Sequence, residues 1–171
     1  SIETTPRLAA RHPERLAAFR AAGIDRISMG LQTASAHLLR AYGRDHETVD
    51  DHRRAAELIH AAGFRRFNID LMYGLARQTE ADLETTVRHA VGLGPDVITL
   101  YRMRYKGTRV ADEAASVALE RVTALAERAH QELQAAGYRA EPGKNTYSRW
   151  PSEAPTTIAV PAWWTILTMS L

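Results

Sequence analysis

Cysteine is absent from the 171 residues, which removes disulfides, thiolate metal sites and cysteine nucleophiles together. Lysine is nearly absent too. Lys106 and Lys144 are the only two, and arginine supplies the rest of the 22 basic residues. No uninterrupted apolar run reaches the ~20 residues that a membrane-spanning helix needs, and no basic–apolar–small-residue leader opens the chain. The expectation is therefore a cytoplasmic protein without a membrane partner. A dominant charge is lacking as well, since the net charge is only +2. The arginines are interspersed with acids along helical stretches (Arg11, Glu14, Arg15; Arg53, Arg54, Glu57) and form no basic run, which argues against a nucleic-acid partner. The first residue is Ser rather than Met, so the chain is expected to begin partway into a longer protein.

What is present is ordinary for a globular domain: 45% apolar and 25% charged residues, enough for one hydrophobic core. Three segments share a design. "FRAAGIDRISMGLQ" (19–32), "IHAAGFRRFNIDLMYG" (59–74) and "AVGLGPDVITLYRM" (90–103) each end a helical pattern at glycine and then start a strand, as a left-handed helix terminus requires. Helices are predicted over 6–22, 47–62, 79–93 and 112–136. Thr79 and Asp82 form a capping-box-like opening for the third. The longest carries Leu119, Val122, Leu125, Ala126 and Leu133 at helical spacing. Strands are predicted at 1–3, about 25–32, about 66–73 and about 96–103. Strict alternation of strand and helix implies a parallel sheet with right-handed crossovers. The fold class is thus α/β, with about four strands of a barrel or doubly wound sheet.

Asp70 poses the sharpest question, because "FNIDLM" otherwise reads as a buried strand. An unpaired buried carboxylate costs several kcal/mol, so the strand has a wet face or Asp70 has a partner. Period two separates the faces. Ser28, Gly30 and Gln32 oppose Ile27, Met29 and Leu31, while Asn68, Asp70 and Met72 oppose Phe67, Ile69 and Leu71. Ser1 and Glu3 flank Ile2, and Thr99 and Tyr101 form the more polar face of "VITLYR". An antiparallel sheet with one solvated face would show the same alternation. In βα units the apolar face must carry helices, so the polar face is expected to line a hydrated lumen. The strand ends deliver Glu3, Gln32 and Asp70 toward the side where α/β folds bind ligands.

Several features have plainer readings. "RDHETVDDH" (44–52) gathers Asp45, His46, Glu47, Asp50, Asp51 and His52, all potential metal ligands. A helix start, with Asp45 or Thr48 as cap and acids in the first turn, explains it more simply. No HExxH spacing occurs, and no metal site is predicted. His60, His89 and His130 lie in helical patterns as surface or boundary residues. Tyr73 and Tyr101, near strand ends, are candidates to stack on an adenine or simply to be buried strand tyrosines.

Four ordered stretches, "GIDRISMGLQ", "LLRAYGRDHE", "NIDLMYGLARQT" and "LGPDVITLYRM", resemble the radical S-adenosylmethionine enzymes of the oxygen-independent coproporphyrinogen III oxidase family. The similarity runs over residues 1–149. It implies a six-strand partial parallel barrel of which this chain holds about four strands, incomplete and TIM-barrel-like. It also implies S-adenosyl-L-methionine as cofactor, cleaved reductively by a four-iron four-sulfur cluster to a 5′-deoxyadenosyl radical, and a small-molecule substrate, either a tetrapyrrole or a natural-product scaffold. By resemblance, Glu3, Gln32, Arg44 and Asp70 match positions that contact S-adenosylmethionine. The resemblance implies no catalytic residue here.

The sequence also departs from that family. With no cysteine it cannot hold the cluster. Gly74-Leu75-Ala76 stands where the family has Gly-Leu-Pro. "YRMRYKGTR" (101–109) adds Arg102, Arg104 and Lys106, suited to an anionic substrate. Residues 150–171, with Trp163 and Trp164, match nothing in the family and read as a divergent or non-native tail.

Two functions of different kind follow. The first is a fragment of a radical enzyme, inactive alone, whose parent oxidises porphyrinogens or methylates or cyclopropanates a natural product. The second is a cluster-free nucleotide-binding module without catalysis. A third is an unrelated metal-independent enzyme using Asp70 or Glu3 as general base. The unpaired "SIE" edge is expected to promote self-association.

Overall fold

The computed structural model describes residues 1–106 and 110–149. One five-stranded sheet, in the order β1-β2-β3-β4-β5, organises the chain. Its strands are β1 (Ile2–Thr4), β2 (Arg26–Gln32), β3 (Arg66–Tyr73), β4 (Val97–Arg102) and β5 (Thr146–Ser148). The first four are mutually parallel. Among the described residues six α-helices accompany them: α1 (Pro6–Arg11), α2 (Pro13–Ala21), α3 (Ala36–Ala41), α4 (Val49–Ala61), α5 (Glu80–Gly92) and α6 (Leu119–Ala135). The parallel αβ alternation expected from the sequence is what forms.

Three local expectations are corrected. The helical stretch 6–22 is two helices, because Pro13 has no N–H to continue the ladder and His12 turns out of helical geometry at φ −130°, ψ 59°. The helix over 112–136 starts only at Leu119, after a 3-10 turn at Ala111–Ser116 and an extended Val117 and Ala118. The turn is held elsewhere, since Tyr42 donates its hydroxyl to Glu113 at 3.0 Å. Leu119 accordingly is 61% exposed instead of packed. A fifth strand, antiparallel to β4, was not foreseen. Three residues are too few for a periodic signal, and β5 is set by long-range pairing. Leu100 donates to the Asn145 carbonyl at 2.8 Å, and Arg139 and Ser148 exchange two bonds at 2.9 Å each.

Other details hold. Thr48 with Asp51 and Thr79 with Asp82 form complete capping boxes at α4 and α5. Gly63 turns the α4–β3 corner at φ +74°, a conformation that a Cβ would strain. The core lies between sheet and helices, where Ile27, Met29, Leu31, Phe67, Ile69, Leu71 and Ile98 are almost wholly buried. α1 packs on α4, and α5 on α6. His52, grouped with the capping acids by sequence, is also in this interior at 0% exposure. Among the described residues no helix is long and apolar enough to cross a membrane. The tail at 150–171 lies outside the described residues.

Candidate functional site

Strand register decides what the polar face holds. Glu3 stands beside Ser28 and Ser28 beside Asn68, while Gly30 stands beside Asp70 and Asp70 beside Thr99. Their alternation with the buried row leaves this face partly open along β2 and β3. Asp70 has both a wet face and partners. Ser28 Oγ donates to Asp70 Oδ2 at 2.6 Å, and Asn68 Nδ2 donates to Asp70 Oδ1 and to Ser28 Oγ, both at 2.7 Å. Thr99 Oγ1 donates to Asn68 Oδ1 at 3.0 Å, which orients the amide. The network fixes the carboxylate while each oxygen keeps a lone pair for a ligand hydroxyl.

Above Asp70 the β2 strand ends irregularly. The register with β3 shifts between Gly30 and Gln32, and Gln32 takes φ +66°. Left-handed backbone at a non-glycine residue is strained and marks a position that its surroundings hold in place. The Gln32 amide folds back over Gly30, where a Cβ would lie 3.0 Å from Gln32 Nε2. Glycine at 30 is what makes room for it.

Arg44 reaches this strand end from the α3–α4 loop. Its Nη2 donates to the Gly30 carbonyl at 2.7 Å and to the Glu47 carboxylate at 2.8 and 3.0 Å. Glu47 is 6% exposed, so the pair is a buried one that would be costly to break on one side. One corner of the guanidinium is thus committed within the protein. Glu47 was expected only as a first-turn acid. The signal for its true role, a three-residue spacing from Arg44, is too common to single out.

Tyr101 and Tyr73 part company. Tyr101 shares the polar row beside Met72 and is 48% exposed. Burial first, then the negative charges of Asp70 and Glu3, raise its phenol above the ordinary range. Tyr73 packs against the core cluster, and it cannot stack in the lumen. Arg102, paired with Tyr73, falls in that same off-lumen row. Among the described residues no cluster of His, Cys, Asp or Glu could hold a metal ion.

The loop after β3 is clamped by residues that the sequence did not reveal. Gln78, fully buried, accepts from Gly74 N at 2.9 Å and Leu75 N at 3.3 Å, and donates to the Met72 carbonyl at 3.2 Å. The Ala76 N–H meets the hydroxyls of Tyr105 at 2.5 Å and Tyr42 at 3.0 Å. Arg121 donates to the Gln78 carbonyl. A proline at 76 would have no such N–H, so the Ala76 departure is matched by two tyrosine acceptors.

The profile of the Radical SAM superfamily matches residues 1–90. The chain belongs to the radical SAM superfamily. Within that superfamily its relatives are of the coproporphyrinogen III oxidase-like kind. It is 32% identical over 128 residues to the heme chaperone HemW of Escherichia coli (strain K12), covering 74% of this chain and 34% of that protein. It is 28% identical over 124 residues to the oxygen-independent coproporphyrinogen III oxidase of Pseudomonas aeruginosa, covering 68% and 26% respectively. The solved structure of coproporphyrinogen III oxidase (HemN) from Escherichia coli has the same fold, with a TM-score of 0.77 over 88% of this chain and 35% of that one, at 24% identity. This radical SAM chain spans about a quarter to a third of the length of those curated relatives.

The superfamily's two cofactors meet different receptions in these residues. A four-iron four-sulfur cluster needs thiolates, and none exists here. S-adenosylmethionine carries ribose hydroxyls, an ammonium and a carboxylate. The oriented Asp70 carboxylate, the exposed Glu3 and the Arg44 guanidinium supply complementary charge and acceptors.

Proposed function

We propose that the polar face of this sheet is the S-adenosylmethionine-binding part of a coproporphyrinogen III oxidase-like radical SAM protein. The observation that carries the reading is the Ser28–Asn68–Asp70–Thr99 network, which holds a carboxylate by side chains of three adjacent strands on a half-open face. A network serving stability alone would be buried. Asp70 accepts the ribose hydroxyls, Glu3 pairs with the ligand ammonium, Gln32 donates its amide near the strand end, and Arg44 takes the ligand carboxylate through the guanidinium edge not given to Glu47. From the Glu3 row to Gln32 is four residue rises along β2, about 13 Å, the reach of an extended nucleoside bearing an amino-acid arm. Tyr101 stacks on the adenine.

In the superfamily S-adenosylmethionine is the source of an organic radical. That step requires cluster thiolates that these residues do not contain, and nothing in the present site substitutes for them. The residues here bind and orient; they do not cleave. The parent protein's substrate is proposed to be a tetrapyrrole, by analogy with the named relatives, and its reaction an oxidation or radical alkylation. The absence of cysteine equally favours a second reading, a nucleotide-binding module without catalysis.

Isothermal calorimetry of the chain with S-adenosylmethionine tests the site. Weak binding is expected, lost in Asp70→Ala. Tight binding that survives Asp70→Ala would overturn the assignment.

A further inference from the structure

On the helical side of the sheet, away from Asp70, α4 and α5 stand apart. A cavity of about 480 Å³ opens between them, a size that suits a small organic ligand. It is lined by Arg53 and His60 from α4 and by Arg88, His89 and Gly92 from α5, with buried Ala56 and Leu93 beneath them. We propose that this cleft is a second ligand site of the protein, built for a phosphate-bearing small molecule. The inference does not depend on S-adenosylmethionine binding at the polar face.

The charge in the cleft is available to a ligand. Arg53 is held by Asp50 at 2.9 Å and Arg88 by Glu84 at 3.6 Å, and ion pairs as exposed as these are weak and exchange readily. The one carboxylate on the lining, Glu57, is paired with Arg54 at 3.4 Å. Two guanidinium groups and His89 present more donors than the two oxygens of a carboxylate can satisfy, while His60 is engaged through Nε2 with the Leu93 carbonyl at 3.0 Å. A phosphoryl group, with three acceptor oxygens and nearly two charges, matches them better.

A second observation lies beneath the rim. His89 Nε2 is 3.2 Å from Nδ1 of His52, and His52 is fully buried. The other ring nitrogen of His52, Nε2, has no hydrogen-bond partner; its nearest charged neighbour is Glu47 Oε2 at 4.0 Å. Buried polar atoms are normally satisfied, and one protonation pattern would serve this one. A proton on His89 Nε2, present in the neutral Nε2–H tautomer and in the imidazolium that adds a second on Nδ1, donates to His52 Nδ1. The His52 proton then sits on Nε2 and faces the Glu47 carboxylate. An anion against His89 stabilises that pattern from the open end of the pair.

The surroundings set the sign of the coupling. Burial, then the Arg53 charge, hold His89 below the ordinary imidazole range, and an anion at the rim opposes the second of these. Facing the histidine pair are Arg53, Asp51 and His60 from α4, Arg88 and Glu84 from α5, Arg44 and Glu47 from the loop before α4, and Arg128 of α6, which pairs with Glu84 at 2.7 Å. A bound phosphoryl group screens Arg53 and Arg88 and favours proton uptake at His89. Binding is then tighter at low pH.

The test uses the full chain with ¹³C-labelled histidine, followed by NMR during titration with pyrophosphate at constant ionic strength. His12, whose ring lies against Glu14, serves as an internal reference. The proposal expects saturable shifts at His89, a raised pH midpoint for His89 in saturating pyrophosphate, and affinity about tenfold weaker in R53Q/R88Q, a few-fold for each rim cation. His89→Gln should keep residual binding and lose its pH dependence. Both arginines are well exposed, so the double variant folds. An unchanged His89 midpoint with pyrophosphate, or undiminished affinity in R53Q/R88Q, would overturn the proposal.

Discussion

Ser28 donates its hydroxyl to Oδ2 of Asp70 at 2.6 Å, across the parallel pair β2 and β3. The bond links residues 42 apart in the chain and, with Asn68, turns a lone carboxylate into an oriented one. Ser28→Ala should lower the free energy of unfolding by about 1 kcal/mol. Asn68→Ala should cost more, because the amide bonds Ser28, Asp70 and Thr99 at once. Urea denaturation measures both. A smaller effect for Asn68→Ala would mean that the network is not cooperative.

The Tyr105 hydroxyl accepts from Ala76 N–H and donates to the Gly74 carbonyl at 3.0 Å, inside a buried loop. Tyr105→Phe takes the donor from the Gly74 carbonyl and leaves the Ala76 N–H only the Tyr42 hydroxyl, and should destabilise the chain by about 1–3 kcal/mol. Ala76→Pro removes the donor itself. In an Ala76→Pro background, Tyr105→Phe should therefore cost less than it does in the parent chain. Equal costs in the two backgrounds would separate the tyrosine from the loop.

His52 makes stability depend on pH. Burial, then the positive charges of His89 and Arg44, push its imidazole down to about 4 from an ordinary 6.5. Above pH 6.5 both folded and unfolded chains leave it neutral. Below that, the unfolded chain takes up a proton that the folded chain refuses, so stability falls as the pH drops toward 4. The full gap corresponds to roughly 3 kcal/mol. Urea midpoints at pH 7.5 and 5 should differ in the parent chain and converge in His52→Gln. Parallel losses in both proteins would place the acid sensitivity elsewhere.

Anaerobic reconstitution with iron and sulfide should leave the chain without a redox-active cluster. Histidine and carboxylate side chains do not replace the thiolates. Stoichiometric iron and sulfide with a thiolate-type absorption band would contradict this.

Among the described residues no strand lies outside β1, so its outer edge presents unpaired backbone groups to any second chain. Analytical ultracentrifugation should find reversible self-association in the full chain and in a 1–149 truncation alike. A monomer in both would show that the edge is covered. Association in the full chain only would assign it to residues 150–171.

By itself the sequence determined the αβ alternation, because hydrophobic period and helix-ending glycine are local properties. It also separated the Asp70 row from the Ile69 row, since alternation along a strand needs no knowledge of its neighbours, and the Thr79–Asp82 box is a local pattern; at α4 it left Asp45 or Thr48 as the cap, and the structure chose Thr48 with Asp51. Helix continuity was legible only in part: Pro13 breaks the first stretch by a local rule, whereas the start of α6 is displaced by a tie between Tyr42 and Glu113, 71 residues apart. Tertiary structure alone decided the rest. Which strand neighbours which brought the Ser28 hydroxyl within reach of Asp70 from the next strand. The antiparallel β5 came from pairing with β4 and not from any pattern of its own. Burial turned His52 and Glu47 from members of a charged helix start into interior residues, Glu47 paired with Arg44, because the cost of desolvating a charge depends on what the fold packs around it, and that is set at distances along the chain that no local pattern records.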